Sequence, residues 1–181
     1  CLTRPSRRAD IVPMAVRLLR GPFTVADYHR LAETGILLAR RPSPGHYPAV
    51  RDEARWWLNT AEGDLSAARI LFEAGRFNLC AFHAQQAAEK ALKAVLAARG
   101  KAHRGHACLE LLEVLRTDGV AVPADLESAA RRLDLHYVQS RYPNGLGGDP
   151  TRYYDTSLAE ECLDQSGRML KFAQDQLDGG Q

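Results

Sequence analysis

The chain has 181 residues, a length that suits one domain with a sizeable apolar core plus an appendage. Hydrophobic residues make up 45% of it and charged residues 25%, as in ordinary globular proteins. No run approaches the roughly 20 apolar residues of a membrane-spanning helix, and no apolar run with a cleavage site follows the early arginines. We therefore expect no membrane span, no secretory signal and a cytoplasmic location.

The net charge of +2 is unevenly distributed. Residues 1–50 hold eight arginines and three acidic residues, a net of +5, whereas residues 51–181 hold sixteen basic and nineteen acidic residues, a net of −3. The mildly acidic second part argues against strong, purely electrostatic binding of long nucleic acid. If this protein binds RNA, a local arginine pocket must hold it.

The cysteines and the missing motifs exclude several kinds of chemistry. Cys1, Cys80, Cys108 and Cys162 show no C-x-x-C spacing, and the last three fall among apolar helical positions. They are interpreted as inert buried thiols rather than as metal ligands or a disulfide framework. The phosphate loop, G-x-G-x-x-G, H-E-x-x-H and G-x-S-x-G are absent. We predict no metal site and no cofactor.

The sequence divides into two parts near residue 50. RRPSPGHYPAV at 40–50 contains three prolines and a glycine without apolar periodicity, which indicates a linker. Residues 1–50 are therefore predicted to form an irregular, partly helical N-terminal extension and linker. Residues 51–181 are predicted to form the folded domain.

FTVADYHRLAETGIL at 23–37 predicts a Thr-capped, short amphipathic helix that ends near Gly35. This segment resembles the opening of Uma2-type proteins. The strand-rich, acidic region that their nuclease-like domain requires does not follow, so no activity is assigned to it. Two interpretations stay open, namely a fusion remnant and an upstream extension ahead of an internal start at Met14.

Beyond residue 50, apolar residues recur at steps of three and four, the period of an α-helix. Helix-stopping glycines and prolines separate the periodic stretches. Five helices are predicted, over about 52–74, 78–99, a stretch that includes 108–115, 123 to before Pro143, and 154–177. Since no strand pattern or internal repeat is present, the predicted fold class is all-α.

The second predicted helix carries an unusual polar stripe. Gln85, Glu89 and Lys93 follow one another at i, i+4 and i+8, with Glu89 N-terminal to Lys93 in the favourable orientation. Alanines occupy most of the remaining faces, and their small side chains let other helices approach closely. They stand at positions 81, 84, 87, 88, 91 and 94. The segment is built for helix packing, with its polar groups on one edge.

Several motifs in order carry a family resemblance: W56/W57, DLSAAR at 64–69, GRFNLCAFHAQQAAEKALKA at 75–94, His106, and YVQSRYPNG at 137–145. Residues 52–177 resemble a HEPN domain. The resemblance implies an up-and-down bundle of four to five helices that forms homodimers. It also implies a gene often encoded beside a minimal nucleotidyltransferase, in a family whose members bind nucleotides or cut RNA.

Ribonucleases of this family carry an arginine followed after four to six residues by a histidine, and Arg131 and His136 fit that spacing. The histidine would move the proton of a ribose 2′-OH or of the leaving oxygen, and the arginine would hold the phosphate without a metal. On an uninterrupted helix, however, the two side chains lie about 140° apart. A kink or a second subunit would have to bring them together. The alternative interpretation is a solvated or interface helix surface.

SRYPN at 140–144 matches the branch of the family that this chain resembles. Arg141 offers a bidentate fork for phosphate, and the Tyr142 ring could stack on a base. In the alternative interpretation, Arg141 pairs with a carboxylate such as Glu89, and Tyr142 shapes the turn. His106 is interpreted as a residue that caps or orients its linker, or that contacts phosphate. The predicted nucleotide- or RNA-binding residues are Arg141, Tyr142, His106, Gln85, Glu89 and Lys93.

The sequence therefore predicts a nucleotide- or RNA-binding homodimer that acts with a minimal nucleotidyltransferase in a toxin-antitoxin-like pair. One alternative is a metal-independent endoribonuclease that uses Arg131 and His136 or the region of Arg141. A second alternative is a structural dimerisation module without a ligand.

Overall fold

The computed structural model of the chain describes the backbone of residues 50–179 and the side chains of residues 52–179. The predicted N-terminal extension, its helix at 23–37 and Cys1 lie outside these residues. Within the described range every regular element is a helix and there is no strand, which confirms the all-α prediction. None of these helices combines the length and the apolar character that spanning a membrane requires.

Six helices follow one another along the described chain. They are α1 (Val50–Glu73), α2 (Phe77–Ala98), α3 (Cys108–Thr117), α4 (Ala124–Gln139), α5 (Pro143–Leu146) and α6 (Thr156–Asp178), with a 3-10 turn at Pro150–Arg152 before α6. The five long helices are the five predicted ones, with ends that agree within a few residues. Gly75, Gly100 and Gly119 have positive φ angles just past the ends of α1, α2 and α3, as glycines that stop helices do.

The segment after Pro143, which lies between the fourth and fifth predicted helices, contains the one-turn helix α5. Pro143 occupies its first turn, where the missing N–H costs no hydrogen bond. Gly147, with φ of 71°, ends it in the left-handed conformation. The Asp149 side chain then accepts a hydrogen bond from Thr151 N at 3.0 Å and starts the 3-10 turn. The loop is therefore a succession of capped turns.

Helix α2 is the centre of the bundle, in contact with α1, α3, α4 and α6. Its alanines allow this arrangement, because all six named in the sequence analysis are completely buried. Larger apolar side chains fill the remaining space around it. The largest fully buried ones are Leu92, Leu96, Leu111, Leu112, Leu115, Leu133 and Met169. The prediction that α2 is built for close helix packing is confirmed.

A carboxylate from α4 caps the N-terminus of α3. The residue in the N-cap position is Ala107, which has no side-chain acceptor. The two oxygens of Asp134 instead accept hydrogen bonds from Cys108 N at 2.6 Å and Leu109 N at 3.0 Å. Burial raises the pKa of Asp134, although the two backbone hydrogen bonds act in the opposite direction. This cap fixes the start of α3 and the linker before it against α4.

We expect Asp134→Ala to lower the free energy of unfolding by about 1–2 kcal/mol, because two helix-terminal N–H groups lose their acceptor. Urea titration of the wild type and the variant measures this difference. Leu135→Ala, at an exposed neighbouring position of α4, is the control and should stay within about 0.5 kcal/mol of wild type. Equal losses in both variants would show that the cap contributes nothing.

Candidate functional site

The polar stripe of α2 lies inside the bundle. Gln85 is completely buried, Glu89 is 3% exposed and Lys93 is 9% exposed. Lys93 Nζ lies 2.8 Å from Glu89 Oε1, which confirms the expected pairing along the helix. Gln86 Nε2 donates to Glu89 Oε2 at 3.1 Å and also to Gln85 Oε1 at 2.8 Å. A buried ion pair is tolerated only with such additional hydrogen bonds, since both charges lose their hydration.

The stripe holds His106, which lies in the linker between α2 and α3. Gln85 Nε2 donates to the backbone oxygen of His106 at 3.0 Å. His106 Nδ1 lies 3.2 Å from Glu89 Oε1. The imidazole also stacks on the ring of Tyr137, with centroids 5.0 Å apart and planes inclined by 13°. Although its backbone and one edge are anchored, the side chain remains 55% exposed.

Arg141 follows the end of α4 and lies among three aromatic rings. Its Cζ atom is 4.2 Å from the ring centroid of Phe82, 4.8 Å from that of Tyr137 and 5.1 Å from that of Tyr142. Nε and Nη2 donate to the backbone oxygen of Tyr137 at 3.0 and 2.7 Å. Nearby, Asn78 Nδ2 donates to Ser140 O at 3.0 Å and ties the end of α4 to the start of α2.

The alternative pairing of Arg141 with Glu89 does not occur. Glu89 contacts Lys93, His106 and Gln86, and no carboxylate in residues 52–179 pairs with Arg141. The guanidinium is thus oriented by a backbone oxygen and by aromatic faces, which leaves its positive charge uncompensated. Such a group can hold a phosphate by charge-assisted hydrogen bonds.

Five side chains form what we name the Arg141 site: Phe82, His106, Tyr137, Arg141 and Tyr142. The site combines a guanidinium for an anion with aromatic faces for a base, and the Tyr142 side chain is half exposed. Of the predicted binding residues, the structure brings His106, Arg141 and Tyr142 together in it. Gln85 and Glu89 contact His106, and Lys93 pairs with Glu89. A direct ligand contact by these three residues stays a prediction.

Phe82, Tyr137 and Trp57 were not predicted as site residues. Phe82 precedes Gln85 by three positions and so belongs to the same face of α2, and Tyr137 precedes Arg141 by four. Those spacings are the signals that could have identified them. Trp57 comes from α1, and Lys93 Nζ lies 5.4 Å from its ring centroid. No sequence spacing connects Trp57 with the stripe, because the contact is made between two helices.

The structure does not bring Arg131 and His136 together. The side chain of Arg131 is 60% exposed, and its Nη2 atom lies 3.5 Å from Glu127 Oε2. His136 is buried, and its Nδ1 lies 2.9 Å from the hydroxyl oxygen of Tyr154. Burial lowers the pKa of His136, and the negative charge of Glu161 partly opposes that shift. A joint catalytic role of Arg131 and His136 stays a prediction.

The cysteines of the described range behave as the sequence suggested. Cys80, Cys108 and Cys162 are all buried. Burial raises the pKa of Cys80 to about 11 and that of Cys162 to about 12, so both are protonated thiols near neutral pH. No group of three or more histidine, cysteine, aspartate or glutamate side chains in residues 52–179 is placed to hold a metal ion.

These features define a small all-helical bundle protein with an arginine and aromatic site at one helix end. The chain belongs to the HEPN domain family, whose model matches residues 54–176. It is 28% identical over 135 residues to "Putative toxin MJ1304" of Methanocaldococcus jannaschii, an alignment that covers 67% of this chain and 86% of that protein.

Solved structures show the same fold. TT1696 from Thermus thermophilus superposes with a TM-score of 0.66 at 41% identity, over 68% of this chain and 98% of that one. ST0689, an archaeal HEPN homologue, superposes with a TM-score of 0.60 at 36% identity, over 69% of this chain and 98% of that one. A HEPN domain protein of Thermotoga maritima, tm0613, superposes with a TM-score of 0.56 at 30% identity, over 67% of this chain and 97% of that one. The up-and-down helical architecture expected from the resemblance is confirmed.

The buried imidazole of His136 predicts a pH dependence of stability. Its pKa is lower in the folded state than the unfolded value of about 6.5, so its stabilising contribution is present above that pH. This contribution is lost as the pH falls from the unfolded-state pKa of the imidazole to its lower pKa in the folded state. Urea titrations at about pH 7.5 and about pH 5.5 should show a smaller pH-dependent loss for His136→Gln than for wild type. Arg131→Ala is the control and should lose as much as wild type.

Proposed function

We propose that this protein is a toxin-type HEPN protein that binds nucleotides or RNA at the Arg141 site. We further propose that it acts as a homodimer with a minimal nucleotidyltransferase as its partner. The observation that carries the binding proposal is the guanidinium of Arg141, which lies among three rings without a carboxylate partner in residues 52–179.

The geometry of Arg141 suits phosphate binding. One N–H of Nε and one of Nη2 donate to the carbonyl of Tyr137, and this orients the planar group while leaving Nη1 and the second N–H of Nη2 for a ligand. An arginine held in advance loses less conformational entropy when it binds than a mobile one. Because residues 51–181 carry a net charge of −3, a site-specific contact is also a better explanation for RNA binding than a general electrostatic attraction.

The toxin-type role is supported by the relative named "Putative toxin MJ1304". The homodimer and the nucleotidyltransferase partner are supported by the family resemblance of the motifs at 64–69, 75–94 and 137–145. A toxin that acts on RNA or nucleotides needs a site for a phosphate and a base, and the Arg141 site contains groups for both.

We expect Arg141→Ala to weaken binding of a short single-stranded RNA by about tenfold or more, because a charge-assisted phosphate contact is lost. Fluorescence anisotropy at several salt concentrations measures the affinity. The slope of log affinity against log salt should decrease by about one, since one phosphate contact is removed. Arg141→Lys should recover part of the affinity but not the bidentate geometry.

Arg168→Ala is the matched control, because it removes the same charge from α6, where Arg168 pairs with Asp125 and Asp164. It should change neither the affinity nor the salt slope. Equal affinities for wild type and Arg141→Ala would overturn the proposed site. The RNA should be recovered intact after incubation with excess chelator. Metal-independent cutting that is lost in Arg141→Ala would favour the endoribonuclease alternative.

A further inference from the structure

We propose that the outer face of α1 is an interface between two copies of this chain, in which the two α1 helices pack antiparallel about a two-fold axis at the level of Leu65. This inference rests on the homodimer of the proposed function. It adds to that homodimer the surface, the orientation and the register of the contact. It does not depend on the nucleotide or RNA binding proposed for the Arg141 site.

One stripe of α1 faces away from the bundle and consists of apolar or small residues at steps of four and three, the spacing at which paired helices contact each other. We name it the α1 stripe: Trp56, Thr60, Gly63, Ala67, Ile70 and, directly after the helix, Ala74. Trp56 is 57% and Ile70 is 63% exposed, the largest values among the large apolar side chains of residues 52–179. Two such side chains on one stripe indicate a contact surface rather than a solvated one.

Gly63, at the centre of the α1 stripe, is not explained by the packing of its own bundle. A glycine in the middle of a helix destabilises that helix relative to alanine. The φ angle of Gly63 is not positive, so no left-handed conformation requires it. A Cβ atom at this position would meet nothing within 4 Å in the described part of the chain. The close approach of a second helix explains the glycine, because the distance between two packed helices depends on the side chains at their contact.

The α1 stripe is complementary to itself when the second helix runs in the opposite direction. The axis at Leu65 then produces three kinds of layer: Trp56 against Ala74, Thr60 against Ile70, and Gly63 against Ala67. Each large side chain meets a smaller one, and the two backbones approach each other in the middle, as close packing requires. In a parallel pair, by contrast, Trp56 would face Trp56 and Gly63 would face Gly63, which gives a clash in one layer and a gap in another.

The charges beside the α1 stripe fit the same arrangement. Arg55 and Glu73 are both exposed and lie on one flank of the stripe. They are about 27 Å apart along the helix, at 1.5 Å per residue, and cannot pair within one copy. In the antiparallel register, Arg55 of one copy lies within about 3 Å, along the helix axis, of the level of Glu73 of the other. Two-fold symmetry forms this contact between opposite charges twice.

Asp64 lies on the other flank of the α1 stripe, close to the level of the two-fold axis, so the two copies of this carboxylate would approach each other. Each is compensated within its own bundle. Lys90 pairs with Asp64 Oδ2, and His83 Nδ1 lies 3.1 Å from Asp64 Oδ1. The contact therefore brings together no uncompensated like charges at the axis.

The proposed contact is small. From Trp56 to Ala74 the α1 stripe is about 27 Å long, at 1.5 Å per residue. The face of a single helix of this length buries less than the about 800 Å² per partner of a standard interface. We therefore expect a dimer that depends on protein concentration, with a dissociation constant in the micromolar range, rather than a permanent one.

Sedimentation equilibrium of the full chain at increasing concentrations measures the association. Wild type should approach twice the chain mass of 20.0 kDa. Gly63→Glu should raise the dissociation constant of the dimer about tenfold or more, because a charge without a partner is then buried between the two helices. The fold of each copy should be kept, since the added side chain starts in open space. Circular dichroism and urea titration check this.

Gly167→Glu is the matched control for Gly63→Glu. Gly167 is also a glycine inside a long helix, α6, and a Cβ atom there would meet nothing within 4 Å of the described chain. The substitution introduces the same charge and removes a glycine of the same kind. It should leave the dissociation constant within about twofold of the wild-type value.

Charge reversal tests the antiparallel register. Arg55→Glu and Glu73→Arg should each weaken the dimer about threefold or more, because each substitution sets like charges against each other in both symmetric contacts. An equimolar mixture of the two variants should associate about as tightly as wild type, since every contact of the mixed dimer joins opposite charges. In a parallel pair, Arg55 would already face Arg55, and neither substitution alone would weaken the dimer.

The outcomes separate this inference from the proposed homodimer. A wild-type dimer that Gly63→Glu does not weaken overturns the inference and leaves the homodimer in place. Leu135→Glu changes an exposed apolar residue of α4 and should not weaken the dimer; if it alone does so, the interface lies on α4 and the inference is wrong. Loss of association in Gly63→Glu without any effect of charge reversal overturns the antiparallel register. A wild type that stays monomeric overturns the homodimer together with this inference.

Discussion

The buried carboxylate of Glu89 is the interaction on which the rest of the site depends. Its oxygens accept from Lys93, Gln86 and His106, so one side chain of α2 connects the interior of the bundle with the linker before α3. Two buried charges cost several kcal/mol of desolvation each, and a pair of this kind contributes little net stability. The role of the ion pair is instead to position Glu89, which fixes where the imidazole of His106 lies.

The alanines of α2 allow a polar stripe at the centre of a bundle of this size. They are completely buried, so neighbouring helices approach the α2 backbone closely and exclude water from Gln85 and Glu89. Low dielectric then strengthens the hydrogen bonds of the stripe and makes an unpaired member costly. Close packing and polar order are therefore coupled, since the same small side chains that admit four neighbouring helices also bury the polar network.

The sequence was sufficient to predict those features of the structure that depend on a single helix. The five long helices followed from apolar spacing and from glycines such as Gly75 and Gly100, and the Glu89–Lys93 pair followed from its i, i+4 separation. It was insufficient where two elements meet. The stacking of His106 on Tyr137 and the contact of Lys93 with Trp57 depend on helix crossings that no spacing encodes. The short helix α5 was missed because its four residues carry no periodic pattern.

The end of α4 explains why an arginine can stay without a carboxylate partner. The backbone N–H groups of Arg141 and Tyr142 both donate to Val138 O, so the preceding carbonyl, that of Tyr137, has no helical partner. The Arg141 guanidinium supplies that partner, and its charge also interacts favourably with the negative end of the helix dipole. Pro143 disfavours continuation of the helix past this point. The proline that ends the helix thus leaves a carbonyl for the arginine, and a positively charged site arises in a domain of net negative charge.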